Sequence, residues 1–361
     1  MTVGPPAYAL RPPDKRKDHD LDHYLQVAES AALQAGNFIR ASLERRTSLG
    51  LTVNDKAAVG AARVDLVTEV DLQAEEIIIP SIRKAVTGRH IFVGEESAFL
   101  TGTQALTDDP HWFVDPVDGT TNFIHGYPFV TVGRAGGRAG GRAQAASWGW
   151  EGGEEGVSIG LLIRKRPVVG VVYNPFLQEL YTARHGGGAF LNGKPLHVSD
   201  TPTLKEAMVA TTLGASRDRT YLNLLLFRLR ALLLERLQAF RVSGSTCQNL
   251  AHVASGRLDC YYDEGGFGGP WDIAAGLVLV REAGGTVRAL GGGDFVFSMG
   301  QGNLVCGNAR LVEEVVQAVR AADNKMWWKG VRVQVRGWGS IGAVVLGACV
   351  ISLVLGGRKA R

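Results

Sequence analysis

Residues 112–123 read Trp-Phe-Val-Asp-Pro-Val-Asp-Gly-Thr-Thr-Asn-Phe. The apolar start predicts a buried strand, and the remainder predicts a tight turn that carries two carboxylates and leads into a helix. Asp115 and Asp118 offer the oxygen ligands that Mg²⁺ prefers. Gly119 allows close backbone approach, and free amides at a helix start bind anions. Without further context, an ordinary Asx-Pro turn explains the same residues.

Three further motifs occur along the chain. They read DLVTEVD at 65–71, VGEES at 93–97 and PWDIAAG at 270–276. Together with 112–123, and in this order, they resemble the signature of the inositol monophosphatase family of Mg²⁺-dependent, lithium-sensitive sugar phosphatases. The resemblance implies an α+β fold, a layered αβαβα sandwich, that hydrolyses phosphate monoesters.

The resemblance also implies a set of metal ligands. Glu95, Asp115 and the carbonyl of Val117 match the ligands of one Mg²⁺. Asp115 would bridge to a second ion that Asp118 and Asp272 hold, and a third, weaker ion would lie near Glu95. We therefore expect two to three Mg²⁺ ions.

Thr120 and Asp71 match the catalytic pair of the family, with Glu95 as the ligand of the ion that activates the water. In the family the aspartate orients the threonine, which helps to aim the attacking water. From the sequence alone, Asp71 also fits the first turn of a helix capped by Thr68, where an acid is favoured. Lys56 matches a lysine near the metal cluster of relatives, but it lies in a longer loop, so its placement stays open.

Contacts to the substrate are also implied by the resemblance. The matching residues are Asp118, Gly119, Thr120, Thr121, Gly244, Ser245, Cys247, Glu264 and Asp272. Several of them have structural alternatives: Gly244 and Ser245 could cap a helix over 246–254, and Asp272 could be the N-cap of a helix over 273–282. Glu264 would otherwise be an ordinary loop acid.

The substrate class follows from the same resemblance. We expect myo-inositol monophosphate or a similar sugar phosphate, and residues 266–272 (GFGGPWD) resemble the plant and algal branch, whose members also hydrolyse L-galactose 1-phosphate. Histidinol phosphate and bisphosphate nucleotides are the alternatives within the superfamily. A homodimer is expected from the family.

We divide the chain into three parts, the second of which contains a low-complexity block. The composition of residues 1–20 predicts a disordered leader without a signal core. The resemblance implies that residues 21–323 form the phosphatase domain. Residues 133–156 are a Gly-rich, low-complexity block that interrupts an expected strand. In the basic tail, 324–361, the uncharged run 339–357 is either a membrane anchor or an aberrant extension. A catalytically impaired, membrane-tethered isoform is the alternative to an enzyme.

Charge and cysteine usage narrow the partners and the compartment. The net charge of +4 comes from the tail, because its seven basic residues leave the body at −3. A mildly acidic body argues against a nucleic-acid surface. Four widely spaced cysteines disfavour a zinc site or disulfides and favour the cytoplasm.

Two expectations concern the second half of the chain. Strands over 168–173, 180–183 and 189–191 predict a second, mostly antiparallel region, with a hairpin turn at Asn192-Gly193. The leucine-rich stretch 221–240 predicts a well-buried helix.

Overall fold

The structure is a computed structural model that describes residues 18–44, 53–55, 66–102, 105–125, 156–214, 216–265, 268–300 and 302–336. Nearly all of the leader and of the 133–156 block, together with Lys56 and the run 339–357, lie outside these residues. The chain divides into two units, Met1–Val319 and Arg320–Arg361. The active-site motifs all belong to the first unit.

The larger sheet has seven strands, and two further strands precede them in the described chain. In chain order, the first nine strands are β1 (Val53–Asp55), β2 (Leu66–Thr68), β3 (Ile91–Gly94), β4 (His111–Asp118), β5 (Gly156–Ile163), β6 (Arg166–Asn174), β7 (Glu179–Arg184), β8 (Gly188–Leu191) and β9 (Lys194–Pro195). β1 and β2 pair with each other, and β3 to β9 lie side by side in chain order. Only the β3–β4 pairing in this sheet is parallel. The three predicted strands and their antiparallel pairing are confirmed. The expectation of a second region is wrong, because β6 to β8 continue the sheet that begins with β3.

The hairpin prediction at Asn192-Gly193 is confirmed. Both residues have positive φ, 49° and 76°, as a two-residue hairpin turn of type I′ requires. They join β8 to β9, the last strand of the larger sheet.

Five strands form the second sheet. They are β10 (Met208–Thr211), β11 (Ala239–Val242), β12 (Cys260–Asp263), β13 (Thr286–Arg288) and β14 (Leu304–Gly307), in the spatial order β11-β10-β12-β14-β13. β10 runs parallel to both of its neighbours, and the other pairings are antiparallel.

Eight α-helices cover the sheets within the described part of the chain. They are α1 (Asp18–Glu44), α2 (Glu69–Ala85), α3 (Glu95–Thr101), α4 (Thr120–His125), α5 (Arg219–Leu234), α6 (Thr246–Ala254), α7 (Pro270–Glu282) and α8 (Ala309–Arg336). A short 3₁₀ helix spans Leu204–Glu206.

The helices and sheets alternate in five layers. Apolar residues of α1 and α2 pack with Trp112 and Ile159 on one face of the larger sheet. α6 and α7 pack with Phe113 on the other face, and also with Tyr261 of the second sheet. α5 and the part of α8 up to Val319 cover the far face of that second sheet. The alternation of side chains along each strand supplies both faces of a sheet with apolar groups. The predicted α+β layered αβαβα sandwich is confirmed.

Two glycines bring α7 close to the larger sheet. Gly160 of β5 and Gly170 of β6 are register partners on the face that α7 covers. A Cβ at Gly160 would lie 2.5 Å from the Cβ of Ala274, and one at Gly170 would lie 2.3 Å from the carbonyl oxygen of Ala275. Because neither glycine has a side chain, the helix backbone rests on the strands and its N-terminus is held over the end of β4.

The prediction for the leucine-rich stretch is wrong in length and in burial. The helix α5 ends at Leu234, and β11 occupies the end of the predicted helical segment. Leu225 and Leu232 are buried, whereas Leu226 and Leu234 are 56% and 64% exposed. A helix that covers the outside of a sheet buries one face only, so a run of leucines did not imply burial all round.

The three cysteines that the structure describes behave as apolar residues. Cys247, Cys260 and Cys306 are free and fully buried in the hydrophobic cores.

Within the described residues, no helix is both long and apolar enough to cross a membrane.

Candidate active site

A bulge at the end of β4 arranges its two acidic residues. Asp115 pairs with Ser158 of β5 and Asp118 pairs with Gly156, so two residues of β4 face one of β5 between these pairs. In a regular strand, side chains three positions apart point to opposite faces of the sheet. The extra residue changes this alternation, as β-bulges beside active sites do. Asp115 and Asp118 are both buried, with 1% and 7% exposure.

Three carboxylates from three elements meet at this point. One oxygen atom each of Glu95, Asp115 and Asp272 lies within 4.8 Å of the other two. Two ligand oxygens of one Mg²⁺ are at most about 4.2 Å apart, since each lies about 2.1 Å from the ion. Small side-chain movements therefore bring the three oxygens to a shared ion. The donor set, carboxylates only, is the kind that Mg²⁺ binds.

Helix N-termini supply two of the three acids. Glu95 is the first residue of α3, and Asp272 is the third residue of α7. The free amides and the dipole of a helix N-terminus favour a negative charge there. Gly269, and not Asp272, is the N-cap of α7, which corrects the capping alternative for Asp272. The carboxylate of Asp272 instead accepts a hydrogen bond from the amide of Gly268, at 2.6 Å.

The electrostatics of the cluster are those of crowded, buried carboxylates. Burial raises the pKa of Asp115 well above its ordinary value, and the charges of Glu95 and Asp118 raise it further. Burial also raises the pKa of Asp272, with Asp118 and Glu95 adding to the shift. Both effects disfavour the charged form of a carboxyl group. A divalent cation among these groups would reverse the effect, because it stabilises their ionised forms.

Asp118 connects the cluster to α6. Its Oδ2 atom accepts hydrogen bonds from the hydroxyl of Ser245, at 3.1 Å, and from the amide of Cys247. Ser245 is also the N-cap of α6, because its hydroxyl accepts a hydrogen bond from the amide of Gln248. Burial raises the pKa of Asp118 to about 6, although these hydrogen bonds lower it. Ser245 therefore caps α6, as predicted, and also donates a hydrogen bond to Asp118.

Cys247 lies in the same buried environment. Burial and the charge of Asp118 raise the pKa of its thiol well above the ordinary value. A thiol that stays protonated is a poor nucleophile. Cys247 therefore contributes its backbone amide and its volume to the site.

Thr120 lies between two acceptors. Its hydroxyl oxygen is 3.0 Å from the carbonyl oxygen of Val117 and 3.4 Å from Oδ1 of Asp71. A hydroxyl has one proton, so it donates to one of these acceptors at a time and keeps its lone pairs for a further donor. Asp71, in the first turn of α2, is 1% exposed. The amide of Val117 donates to Oδ1 of Asp115 at 3.0 Å. Val117 therefore connects the Thr120 hydroxyl, through its carbonyl, with Asp115 of the carboxylate cluster, through its amide.

The start of α4 adjoins the turn that precedes α6. Gly119 has a positive φ of 101° and leads directly into the helix. Asn122 of α4 donates a hydrogen bond to the carbonyl oxygen of Ser243, at 3.1 Å, and Gly244 has a φ of 102° beside the same side chain. Gly119, Thr120, Gly244 and Ser245 thus belong to two connected turns. The side chain of Thr121 is exposed.

Glu264 is held by a basic residue of α5. Its carboxylate forms a hydrogen-bonded ion pair with Arg228, and the Glu264 side chain is 1% exposed. The neighbouring Asp263 is buried and accepts hydrogen bonds from Thr212 and from the hydroxyl of Tyr261. Glu264 is not one of the three clustered carboxylates, and the structure joins it to α5 instead.

Sequence reasoning missed two charged residues near the site. Glu75 of α2 is 7% exposed and contacts the start of α3, and Arg228 pairs with Glu264. Glu75 follows Asp71 by one helical turn, so two acids on the otherwise apolar, buried face of α2 were a usable signal. Arg228 had no comparable signal, because its partner is 36 residues away in sequence.

Comparison with known proteins gives consistent matches. A model described as the inositol monophosphatase family matches residues 20–324. Inositol monophosphatase 3 of Solanum lycopersicum is 39% identical over 299 residues, covering 83% of this chain and 97% of the relative. Inositol monophosphatase 1 of Bos taurus is 32% identical over 296 residues, covering 82% and 94%. The solved structure of inositol monophosphatase from Anabaena has a TM-score of 0.63 at 30% identity, covering 84% of this chain and 97% of that one.

The layered sandwich and these matches define a phosphatase, an enzyme that hydrolyses phosphoric monoesters. Within that class, the chain belongs to the inositol monophosphatase family.

Proposed function

We propose that the chain is a Mg²⁺-dependent phosphatase of myo-inositol monophosphate and similar sugar phosphates, such as L-galactose 1-phosphate. The observation that carries this proposal is the convergence of Glu95, Asp115 and Asp272, whose ligand atoms lie within 4.8 Å of one another. Relatives that carry the name inositol monophosphatase support the substrate class, and four of them, from Solanum lycopersicum and Mesembryanthemum crystallinum, are 37–39% identical to the chain.

The chain offers ligands for two to three Mg²⁺ ions. Glu95, Asp115 and the carbonyl of Val117 would hold one ion, and Asp115, Asp118 and Asp272 a second. The carbonyl oxygen of Val117 keeps a lone pair even when it accepts from the Thr120 hydroxyl. Asp118 uses only Oδ2 to accept from Ser245 and Cys247. When bound, the ions would lower the pKa of a water and neutralise charge on the departing oxygen.

The protein groups would then orient the water and hold the phosphate. Asp71 accepts from the Thr120 hydroxyl, which leaves the lone pairs of that hydroxyl to accept from a water. The amides that follow Gly119 at the start of α4 would donate to phosphate oxygens, as helix N-termini do. No side chain is needed as a nucleophile.

The ring of the substrate would be held by the turn that precedes α6 and by Glu264. Gly244, Ser245 and Cys247 line the turn beside Asp118, and Thr121 is exposed at the start of α4. Glu264 would accept hydrogen bonds from ring hydroxyls, with the guanidinium of Arg228 beside it as the opposite charge.

The test is a substrate panel with the full-length chain. We expect phosphate release from myo-inositol 1-phosphate and L-galactose 1-phosphate with Mg²⁺, and little release after chelation with EDTA. Histidinol phosphate and 3′-phosphoadenosine 5′-phosphate are the competing substrates, and faster release from either would change the assignment.

The stabilisation of the fold by Mg²⁺ tests metal binding independently of the substrate. Mg²⁺ at 100 times its Kd should stabilise the wild type by about 2.7 kcal/mol. D115N should abolish both the stabilisation and the turnover, whereas D108N, at an exposed position ahead of β4, should keep both. Equal stabilisation of D115N would place the ion elsewhere.

Two further expectations are tested in the same preparation. Light scattering should give the mass of a homodimer. A chain without residues 133–155 should show how far that block affects turnover, and this deletion keeps Gly156, the partner of Asp118 in the sheet. Turnover only in the shortened chain would favour the impaired isoform.

A further inference from the structure

Glu75 provides the helix cap that α3 lacks. Its Oε2 accepts from the amide of Glu96 at 2.9 Å, and its Oε1 accepts from the amide of Ser97 at 3.0 Å. These are the second and third residues of α3, whose amides have no partner inside the helix. The N-cap residue is Gly94, and no side chain of that residue caps the helix. A carboxylate from a different helix therefore does what an N-cap side chain usually does.

The position before α3 is shaped to admit this carboxylate. A Cβ atom at Gly94 would lie 2.3 Å from the carboxyl carbon of Glu75, so any larger residue there would push the carboxylate away. Glu75 is 7% exposed, and its two oxygens are both in use. The first turn of α3 is thus fixed by two charge-assisted hydrogen bonds in a buried environment, where such bonds are strong.

The residue that this turn carries is Glu95. It is the first residue of α3, directly before the two capped amides, and one of the three carboxylates that meet at the end of β4. Glu75 also lies four residues after Asp71, so both acids project from one face of α2. Asp71 contacts Thr120, while Glu75 contacts the turn that carries Glu95.

We propose that Glu75 is a positioning residue of the metal centre, which sets the carboxylate of Glu95 against Asp115 and Asp272 by capping α3 from α2. This inference rests on the proposed function, since it assumes that Glu95 binds a metal ion. One helix would then orient both the metal ligand, through Glu75, and the catalytic threonine, through Asp71.

The test compares E75Q with E76Q in the full-length chain. The glutamine amide group can accept through one oxygen only, and its NH₂ group faces the second backbone donor without forming a bond. Glu76 is the exposed neighbour in the same helix, so E76Q removes the same charge without touching α3. The probe is Mn²⁺, whose binding is followed by titration calorimetry without substrate.

We expect the Kd for Mn²⁺ to rise about 10- to 100-fold in E75Q, the usual effect of losing a group that orients a metal ligand. The Mg²⁺ concentration for half-maximal activity should rise in parallel, while KM for myo-inositol 1-phosphate at saturating Mg²⁺ stays within about twofold. E76Q should match the wild type in all three. E75D, which keeps the charge but is one methylene shorter, should be intermediate, and it replaces E75Q if that variant does not fold.

Unchanged Mn²⁺ affinity in a folded E75Q or E75D, even with a lower melting temperature, would overturn the inference and leave Glu75 as a structural cap only. A wild type that binds Mn²⁺ without hydrolysing inositol phosphate would refute the proposed substrate, and the ratio of the Kd values would still decide the role of Glu75. Normal hydrolysis with equal Kd values in wild type and E75Q would refute the role of Glu75 alone.

Discussion

Gly160 of β5 and Gly170 of β6 face each other beneath α7, and neither position has room for a Cβ atom. The backbone of α7 at Ala274 and Ala275 occupies that space. Ser158, two residues before Gly160, donates a hydrogen bond to the carbonyl oxygen of Trp271, at 3.0 Å. The distance between this helix and the sheet therefore fixes where the next residue, Asp272, places its carboxylate.

Replacing either glycine by alanine should lower stability and metal affinity together. The contact atoms at Gly170 are backbone atoms, so α7 must shift to admit a methyl group, and overpacking of this kind costs about 1–3 kcal/mol. We expect G170A to lose this much free energy of unfolding in urea and to need more Mg²⁺ for half-maximal activity. G300A, at an exposed site with nothing within 4 Å, is the control and should change neither quantity.

Removing the hydroxyl of Thr120 should slow turnover without weakening metal binding. T120V keeps the shape of the side chain but cannot donate to Asp71 or accept from a water, and the loss of such a group lowers kcat by about 10²–10⁴-fold. T120S keeps the hydroxyl and should retain most of the activity. Equal rates for T120V and wild type, measured at saturating Mg²⁺, would exclude the assigned role.

Asp118 should make the metal-free protein less stable as the pH rises. Its pKa is raised from 3.8 to about 6, so between these values the folded state binds more protons than the unfolded state. The free energy of unfolding then falls with rising pH across this window, by on the order of 3 kcal/mol in total, and levels off above it. Metal-free D118N lacks this titration, so its stability relative to the wild type should increase between about pH 4 and pH 6.

Urea unfolding in EDTA at several pH values measures this difference. Saturating Mg²⁺ should remove the pH trend, because the ion favours the ionised carboxylate. A wild type and a D118N variant with parallel pH profiles in EDTA would contradict the raised pKa.

The ion pair of Arg228 and Glu264 should show strong coupling. Removing one partner of a buried pair leaves the other charge without compensation and costs about 3–5 kcal/mol. We expect R228M and E264Q each to be destabilised, and the double variant to be less destabilised than the sum of the two. Additive effects in the double-mutant cycle would show that the pair is not coupled.

The fold class and the candidate metal-binding motifs could be predicted from the sequence, because four motifs in order resemble a known family. That resemblance placed Asp115, Asp118 and Asp272 among the candidate metal ligands, because their local patterns alone also fit an Asx-Pro turn and a helix N-cap. Asp115 and Asp118 end a fully buried strand, and Asp272 lies in the first turn of a fully apolar helix segment. Local patterns of this kind survive in a single sequence.

The residues that the sequence did not reveal act over long separations. Glu75 contacts amides 21 and 22 residues away, and main-chain amides have no sequence signature. The bulge between Asp115 and Asp118 depends on how β5 pairs with β4, which the pattern of β4 does not specify. The exposure of Leu226 depends on which layer lies beside α5, and composition carries no such information.

Five elements, α2, α3, β4, α4 and α7, supply the acidic and hydroxyl groups of the site, and they span both ends of the domain. The six groups are Asp71, Glu95, Asp115, Asp118, Thr120 and Asp272. The set extends from Asp71 to Asp272, so the layers must all be in place before the groups meet. Catalytic competence is therefore a property of the complete native state, and on heating we expect activity to disappear in step with the cooperative loss of the fold rather than gradually ahead of it.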